Sequence, residues 1–377
     1  MNKSKHTFII ILVANFFFFL NFSQLMLLPK FIVHLGLGPA DIGYVMGFFS
    51  ISVLVALPLV GLLSEKISKK ILFLIGASLM CFSTPLYAYI THLGPAIFTL
   101  RVIQGLGFAC AFGITGAMVF EIGTGKNRRT LLGMLTASNI TTHAIGPAFG
   151  EYMIHAWGFG PFFFSAALFG LLGMILGFFL PAKKRIGYDS PSAFTRSLPF
   201  MIAAAVLGIV FGTAVMFLPS YLLSVGIGNS SAFFIAFVCG SLIVWFVLVK
   251  ALDHLTESFK WIAMVLLMLS LPLWAGAINS LTLLVGLSLA FGIGYGYLYP
   301  TINAFIIDSL PGKKGVANSL FVWSFNLGML MASFGVGTAS ALFGYRKAFV
   351  LIGLLGLGLL FMKKWMNRSW TQSHSIS

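Results

Sequence analysis

Apolar residues run along this chain in long uninterrupted blocks, not in the alternating or one-in-three-or-four pattern of a soluble fold. Charged or turn-forming breaks separate twelve blocks, at about 7–28, 42–63, 71–91, 95–120, 131–155, 161–181, 199–223, 231–250, 261–278, 280–306, 315–340 and 345–362. A helix rises about 1.5 Å per residue, so about 20 apolar residues cross a hydrocarbon layer about 30 Å thick. Each block meets or approaches that length. Continuous apolarity excludes membrane β-strands, which alternate. The pattern predicts an all-α polytopic membrane protein with 12 transmembrane helices. The first block follows Lys3 and Lys5 and continues to Leu28 without a small-residue cleavage pattern, so it is expected to remain as a helix.

Charge sets the expected orientation. With the N-terminus in the cytoplasm, nineteen of the 23 Lys and Arg residues fall on the cytoplasmic side. Lys30, Arg346 and Lys347 fall outside, and Arg101 lies within a span. Basic residues favour the inner face, so the split predicts both termini cytoplasmic and a multi-pass protein of the cell inner membrane. It also disposes of the net charge of +15 as a nucleic-acid signal. The basic residues are spread over short connectors, with no solvated basic domain, so lipid is the expected partner and nucleic acid is not.

Composition narrows the class further. Hydrophobic residues make up 59% and charged residues 8%, against about 25% charged in ordinary soluble domains. Cys81, Cys110 and Cys239 are far apart inside apolar blocks, without metal-ligand spacing. No nucleophile–base set or nucleotide loop is visible, so the chain is not expected to be an enzyme. No metal or cofactor is expected; a proton gradient is the candidate energy source.

The widest connector, 182–198, carries Lys183, Lys184 and Arg185 and divides the chain into six spans and six. The expected organisation is an N-terminal six-helix bundle at 1–181, this cytoplasmic linker, and a C-terminal six-helix bundle at 199–377 with a short cytoplasmic tail. The halves echo one another. Leu28-Pro29 with Gly36 returns as Leu218-Pro219 with Gly226; Gly105, Gly107 and Glu121 return as Gly292, Gly294 and Asp308; Ile145-Gly146 returns as Leu327-Gly328. Parallel repeats of this kind imply two pseudo-symmetric bundles with binding near the midplane.

Three motifs carry a resemblance. After span two the chain reads Gly61-Leu62-Leu63-Ser64-Glu65-Lys66-Ile67-Ser68-Lys69-Lys70, with Glu65 and Ser68 where the related pattern has Asp and Gly. Span four reads Arg101-Val102-Ile103-Gln104-Gly105-Leu106-Gly107-Phe108-Ala109. Span five reads Thr142-His143-Ala144-Ile145-Gly146-Pro147-Ala148-Phe149-Gly150-Glu151, with Thr142 and Glu151 replacing glycines. In these stretches and in span count the chain resembles the major facilitator superfamily, and most closely the drug and metabolite efflux (antiporter) branch. The resemblance implies secondary-active, alternating-access transport of a small solute, with the span-five pattern favouring export and proton antiport. An importer or uniporter of a sugar, amino acid or other metabolite remains open, as does a transporter-like sensor or scaffold without transport. A monomer is expected.

The motifs nominate residues. Gly61, Glu65, Lys66, Lys69, Lys70 and Glu121 form the expected gating set, with a Lys69–Glu121 charge latch set against plain positive-inside charge and turn chemistry. On this reading Glu65→Ala slows transport and leaves solute binding largely intact. In the second half Asp253 is the only echo of this loop, with His254 and Glu257 nearby. Gly105, Gly107, Gly146, Pro147 and Gly150 form the expected packing set, Gly146-Pro147 as a bend. Arg101 and Glu151 lie at similar depths in consecutive spans, so a pair between them competes with Arg101 satisfied by carbonyls and Glu151 at the interface. His143 falls near mid-span, four residues after Asn139 on the same face, as a proton carrier or solute ligand or as a hydrogen-bonded core residue. Asn21, Gln24, Gln104, Tyr295, Tyr299, Asn303 and Asn326 complete the candidates, with helix–helix hydrogen bonding as the alternative for each. The Phe16–Phe19 run is expected to face lipid or core.

Overall fold

The computed structural model describes residues 3–123, 125–181, 194–248, 254–310 and 314–361. Helices dominate: α1 (Lys3–Gln24), α2 (Leu28–His34), α3 (Pro39–Lys66), α4 (Lys69–Ser83), α5 (Pro95–Ile122), α6 (Gly125–Trp157), α7 (Phe159–Gly177), α8 (Phe194–Ser224), α9 (Ser231–Ile243), α10 (Glu257–Trp274), α11 (Leu281–Ser309), α12 (Lys314–Phe343) and α13 (Tyr345–Gly356). Among the described residues, ten helical stretches are long and apolar enough to cross a membrane. Of the other two expected spans, α6 is long, at 33 residues, but carries Asn139, His143 and Glu151; α13 has 12 residues. The expected linker at 182–198 lies mostly outside the described residues, as do Asp253 and the Glu65 side chain.

The surface supports a lipid environment. Leu62, Phe179, Phe246 and Leu342 are each 60% or more exposed. An apolar surface of this extent is incompatible with water and is at home in hydrocarbon.

The chain separates into two compact units, one of residues 1–37 and 48–188, the other of 38–47 and 189–377. In the first unit α1 packs on α6 and α7, and α4 on α5. In the second α8 packs on α12, and α11 on α9 and α10.

The internal echo has a geometric basis. Gly36 and Gly226 both end a helix with positive φ, 78° and 81°, a conformation that costs glycine least. Each is followed by the same backbone bond, from Leu37 to Ile32 at 3.2 Å and from Ile227 to Leu222 at 2.8 Å. A Cβ on Gly105 would lie 2.6 Å from the Phe49 carbonyl oxygen, and one on Gly292 2.1 Å from that of Phe237. Ser52 donates across the first contact to Val102 at 2.7 Å, and Ser241 across the second to Gly292 at 3.0 Å. Gly146 abuts Ser23 and Gln24 of α1 as Gly328 abuts Ala205 of α8. Small residues thus let backbones touch at corresponding places in both halves.

The first span differs from its expected form. It was expected to end near Leu28, leaving Lys30 in an outer loop. Instead a 3-10 turn at Leu25–Leu27 joins α1 to α2, with Pro29 in the first turn of α2. Proline lacks an amide hydrogen and is tolerated in a first helical turn, so the chain tightens and continues instead of stopping. Lys30 consequently lies inside the unit, 4% exposed.

Candidate functional site

The first unit holds a seam of polar groups where α1 meets α6. Asn15, Phe19 and Ser23 follow one another at four-residue steps on α1 and share a face. Opposite them α6 brings Asn139, Thr142 and His143. Asn15 Nδ2 donates to Asn139 Oδ1 at 2.5 Å. The Ser23 hydroxyl lies 2.9 Å from that of Thr142 and 3.0 Å from His143 Nδ1. Asn15 Oδ1 is buried without a hydrogen-bond partner. Gly146 makes this approach possible, since a Cβ there would stand 2.7 Å from Ser23 Cβ.

Aromatic rings flank the seam. The His143 ring is stacked 6.5 Å from Phe19 and lies tilted 6.3 Å from Phe22. Phe22 packs at 4.5 Å on Phe108, which stacks at 5.1 Å on Phe112. Phe22, Phe112, Asn139 and His143 stay partly accessible. The seam therefore offers amide, hydroxyl and imidazole groups beside aromatic faces, and no carboxylate. Such a surface suits a planar solute with its own donors and acceptors.

Arg101 and Glu151, weighed as a pair, each have a partner on another residue. Glu151 forms an ion pair with Lys30 of α2. Arg101 donates from Nη1 to Gln104 Oε1 at 2.9 Å and lies 4.5 Å over the Phe49 ring. Gln104 also accepts from the Tyr87 hydroxyl at 3.1 Å and donates to Thr84 at 3.4 Å. Continuation of the first span as α2 brings the Lys30 ammonium to Glu151.

The residues expected to gate have these partners. Lys69 and Glu121 form an ion pair. Lys70 donates to the Phe178 carbonyl at 2.5 Å, Lys66 is exposed, and Gly61 accepts from the Ser64 hydroxyl at 2.6 Å. In the packing set, Gly107 faces the backbone of Gly76, and Gly150 faces Leu27 and Phe162. Helix α6 continues through Pro147 without interruption.

The remaining candidates divide. Asn21 donates to the Ala166 carbonyl at 2.7 Å and to Thr84 at 3.3 Å. Gln24 accepts from Ser165 at 3.3 Å, and its Nε2 is buried without a partner. Asn326 donates to its own helix at Val322 O, 2.8 Å away, and Asn303 to Asn318 at 3.1 Å. Tyr295 stacks on Phe211 at 4.7 Å, and Tyr299 meets Phe321 edge-on at 4.7 Å. The second unit thus presents an aromatic cluster. Asp308 is exposed.

Sequence reasoning missed Lys30, Asn15 and Ser23. The four-residue spacing of Asn15, Phe19 and Ser23 was visible but masked by the surrounding phenylalanines, and Leu28-Pro29 resembles a span end.

A profile of the Major Facilitator Superfamily matches residues 10–271. Multidrug resistance protein 1 of Bacillus subtilis is 30% identical over 178 residues, covering 47% of this chain and 45% of that protein. Quinolone resistance protein NorA of Staphylococcus aureus is 29% identical over 154 residues, 41% of this chain and 39% of NorA. The alignments thus span less than half of these relatives. Among solved structures, the nucleoside transporter NupG superposes with a TM-score of 0.79 at 15% identity, covering 97% of this chain and 99% of that one. A bacterial homolog of the human lysosomal transporter Spinster gives 0.79 at 12% identity, covering 99% and 98%. With that profile spanning well over half its length, and with an all-helical, lipid-adapted fold, the chain belongs to the Major Facilitator Superfamily.

Proposed function

We propose that this membrane transporter is a proton-driven exporter that moves an uncharged or weakly charged aromatic solute by alternating access. The observation that carries the reading is the α1–α6 seam, where hydrogen-bonding groups without net charge lie beside Phe19, Phe22, Phe108 and Phe112. The efflux relatives and the span-five motif support export. The proposed form is a monomer of twelve spans in two six-helix bundles, 1–181 and 199–377, in the inner membrane with both termini cytoplasmic. The nineteen cytoplasmic basic residues support that orientation. The likeness to a nucleoside transporter supports a second reading, in which the same seam serves a heteroaromatic metabolite and the direction is inward.

The test is loss of a preloaded fluoroquinolone from energised cells making the protein, with and without a protonophore. Protonophore-sensitive loss above that of control cells supports the first reading. Protonophore-insensitive movement, or faster uptake of a nucleoside, supports the second.

Two variants probe the parts. His143→Ala removes the imidazole that Ser23 meets. A hydrogen bond of this kind contributes about 1 kcal/mol, so half-maximal efflux is expected at roughly fivefold to tenfold higher solute concentration. Unchanged concentration dependence would remove His143 from the solute face. Glu121→Gln keeps the shape of its side chain and deletes the charge facing Lys69. If the pair is a latch, the variant changes the maximal rate several-fold and leaves half-saturation in place; an unaltered rate would leave the pair a fold contact.

A further inference from the structure

Charges inside a bilayer are costly, and a pair that persists there needs an account. Lys30 and Glu151 are 4% and 3% exposed. Their ion pair ties α2 to α6. The attachment of α2 to α1 is the 3-10 turn at Leu25–Leu27, so this short segment has a change of helix type at its root. Leu27 lies against Gly150, where a Cβ would stand 2.9 Å from Leu27 Cδ1. A glycine groove on α6 thus seats the turn, and the next residue, Glu151, holds the segment beyond it.

The second half differs at the corresponding position. The position equivalent to Lys30 is Ser220, whose hydroxyl accepts from the Tyr345 hydroxyl at 3.1 Å. It sits in α8, which runs unbroken through Pro219. Charge and helix break therefore occur together in the first half, where the repeat would otherwise supply a neutral hydrogen bond and a continuous helix.

We propose that Glu151 is the carboxylate that binds the transported proton, and that Lys30 is its counter-ion, released on protonation together with α2. The inference deepens the proton-coupled reading and rests on it for its role in transport. One proton from water adds to a Glu151 carboxylate oxygen, giving the neutral acid. Lys30 keeps its own proton and charge throughout. The charge-assisted bond between them becomes a weaker contact of an ammonium with a neutral carboxyl. The ammonium, now without a full opposite charge, moves toward water and carries α2 with it. Loss of the proton restores the pair.

Other titratable groups on the packed elements are few. His34 shares α2 and stacks at 5.0 Å on Phe159. Arg101 lies on α5, engaged with Gln104, and Cys110 and Glu121 lie further along that helix. His143, Tyr152 and His155 share α6, the last two exposed, with Lys126, Arg128 and Arg129 in its distant first turns. Helix α7 carries none, and α1 carries Lys3, Lys5 and His6 at its distant end.

Two measurements on the full chain separate this inference from the transport reading. In lipid nanodiscs, infrared difference spectra between acid and alkaline pH should show the carbonyl stretch of a protonated carboxyl group shielded from water. The chain has only 8 acidic side chains, so the signal is assignable. Loss of the band in Glu151→Gln, its retention in Glu151→Asp and a displaced midpoint in Lys30→Met support the proposal. A band unchanged in Glu151→Gln, or no such band in the unmodified protein, overturns it. In proteoliposomes, Glu151→Gln should lose acceleration of fluoroquinolone flux by a pH gradient while keeping fluoroquinolone exchange at equal pH. Should Glu151→Gln fold poorly, the double variant Lys30→Gln/Glu151→Gln removes both charges and takes its place. Gradient acceleration equal to that of the unmodified protein refutes Glu151 as the site and leaves proton coupling standing. A titrating Glu151 band in a protein whose flux ignores the gradient refutes the coupled-transport reading and leaves the proton site standing.

Discussion

Lys30→Met is expected to destabilise the protein by about 3–5 kcal/mol, the usual consequence of removing one partner of a buried ion pair. The size follows from burial. The methionine fills most of the lysine's volume, so cavity formation contributes little, and the loss comes from a Glu151 charge left without its cation. The double variant Lys30→Met/Glu151→Met should recover most of that loss, because two apolar side chains of similar size need no desolvation of charge. Chemical or thermal unfolding in one detergent, with all three proteins compared, reads both effects. A single-variant loss below about 1 kcal/mol is what a solvated pair gives and would contradict the burial of Lys30 in α2.

Gly328→Val should be nearly as damaging. A Cβ at Gly328 would stand 1.9 Å from the Ala205 carbonyl oxygen and 2.9 Å from the Ile209 amide nitrogen. Both obstacles are backbone, so no rotamer change relieves them and α8 and α12 must separate. Overpacking costs about 1–3 kcal/mol where side chains can shift, and the upper end or more is expected here. Gly335 on the same helix is the control, since a Cβ there meets nothing within 4 Å. Gly335→Ala should be neutral or gain up to about 1 kcal/mol from helix propensity. Equal losses at the two positions would mean that the close helix contact does not exist. Gly146→Val makes the corresponding test in the first unit, against Ser23 and Gln24.

These residues also show what the sequence made legible. The helices were readable because lipid demands long apolar blocks, a signal that needs no knowledge of neighbours. The repeat was readable from glycines, because a backbone contact leaves no alternative residue; Gly105 with Gly292 and Gly146 with Gly328 occupy matching contacts. Side-chain partners were harder. Depth fixes a residue's height in the membrane but not its azimuth around a helix, so the Lys30–Glu151 pair was not legible. Lys30 was placed in a loop because Pro29 marks a helix end as readily as a helix start, and only the local hydrogen bonding distinguishes them. Asn15 and Ser23 lie in a phenylalanine-rich stretch expected to face lipid or core. Phe18 is indeed fully buried, whereas Phe19 and Phe22 flank His143. Asn21 and Asn326 show the opposite case, polar residues whose spacing drew attention and whose bonds are internal to the helix packing.

Proton-driven export is tested most directly by flux through the purified protein in proteoliposomes with an imposed pH gradient. A fluoroquinolone is expected to move against its own gradient, with protons moving the other way and His143→Ala weakening the apparent affinity. Flux indistinguishable from that of protein-free liposomes, for a fluoroquinolone and for nucleosides alike, would contradict transport of an aromatic solute by this chain.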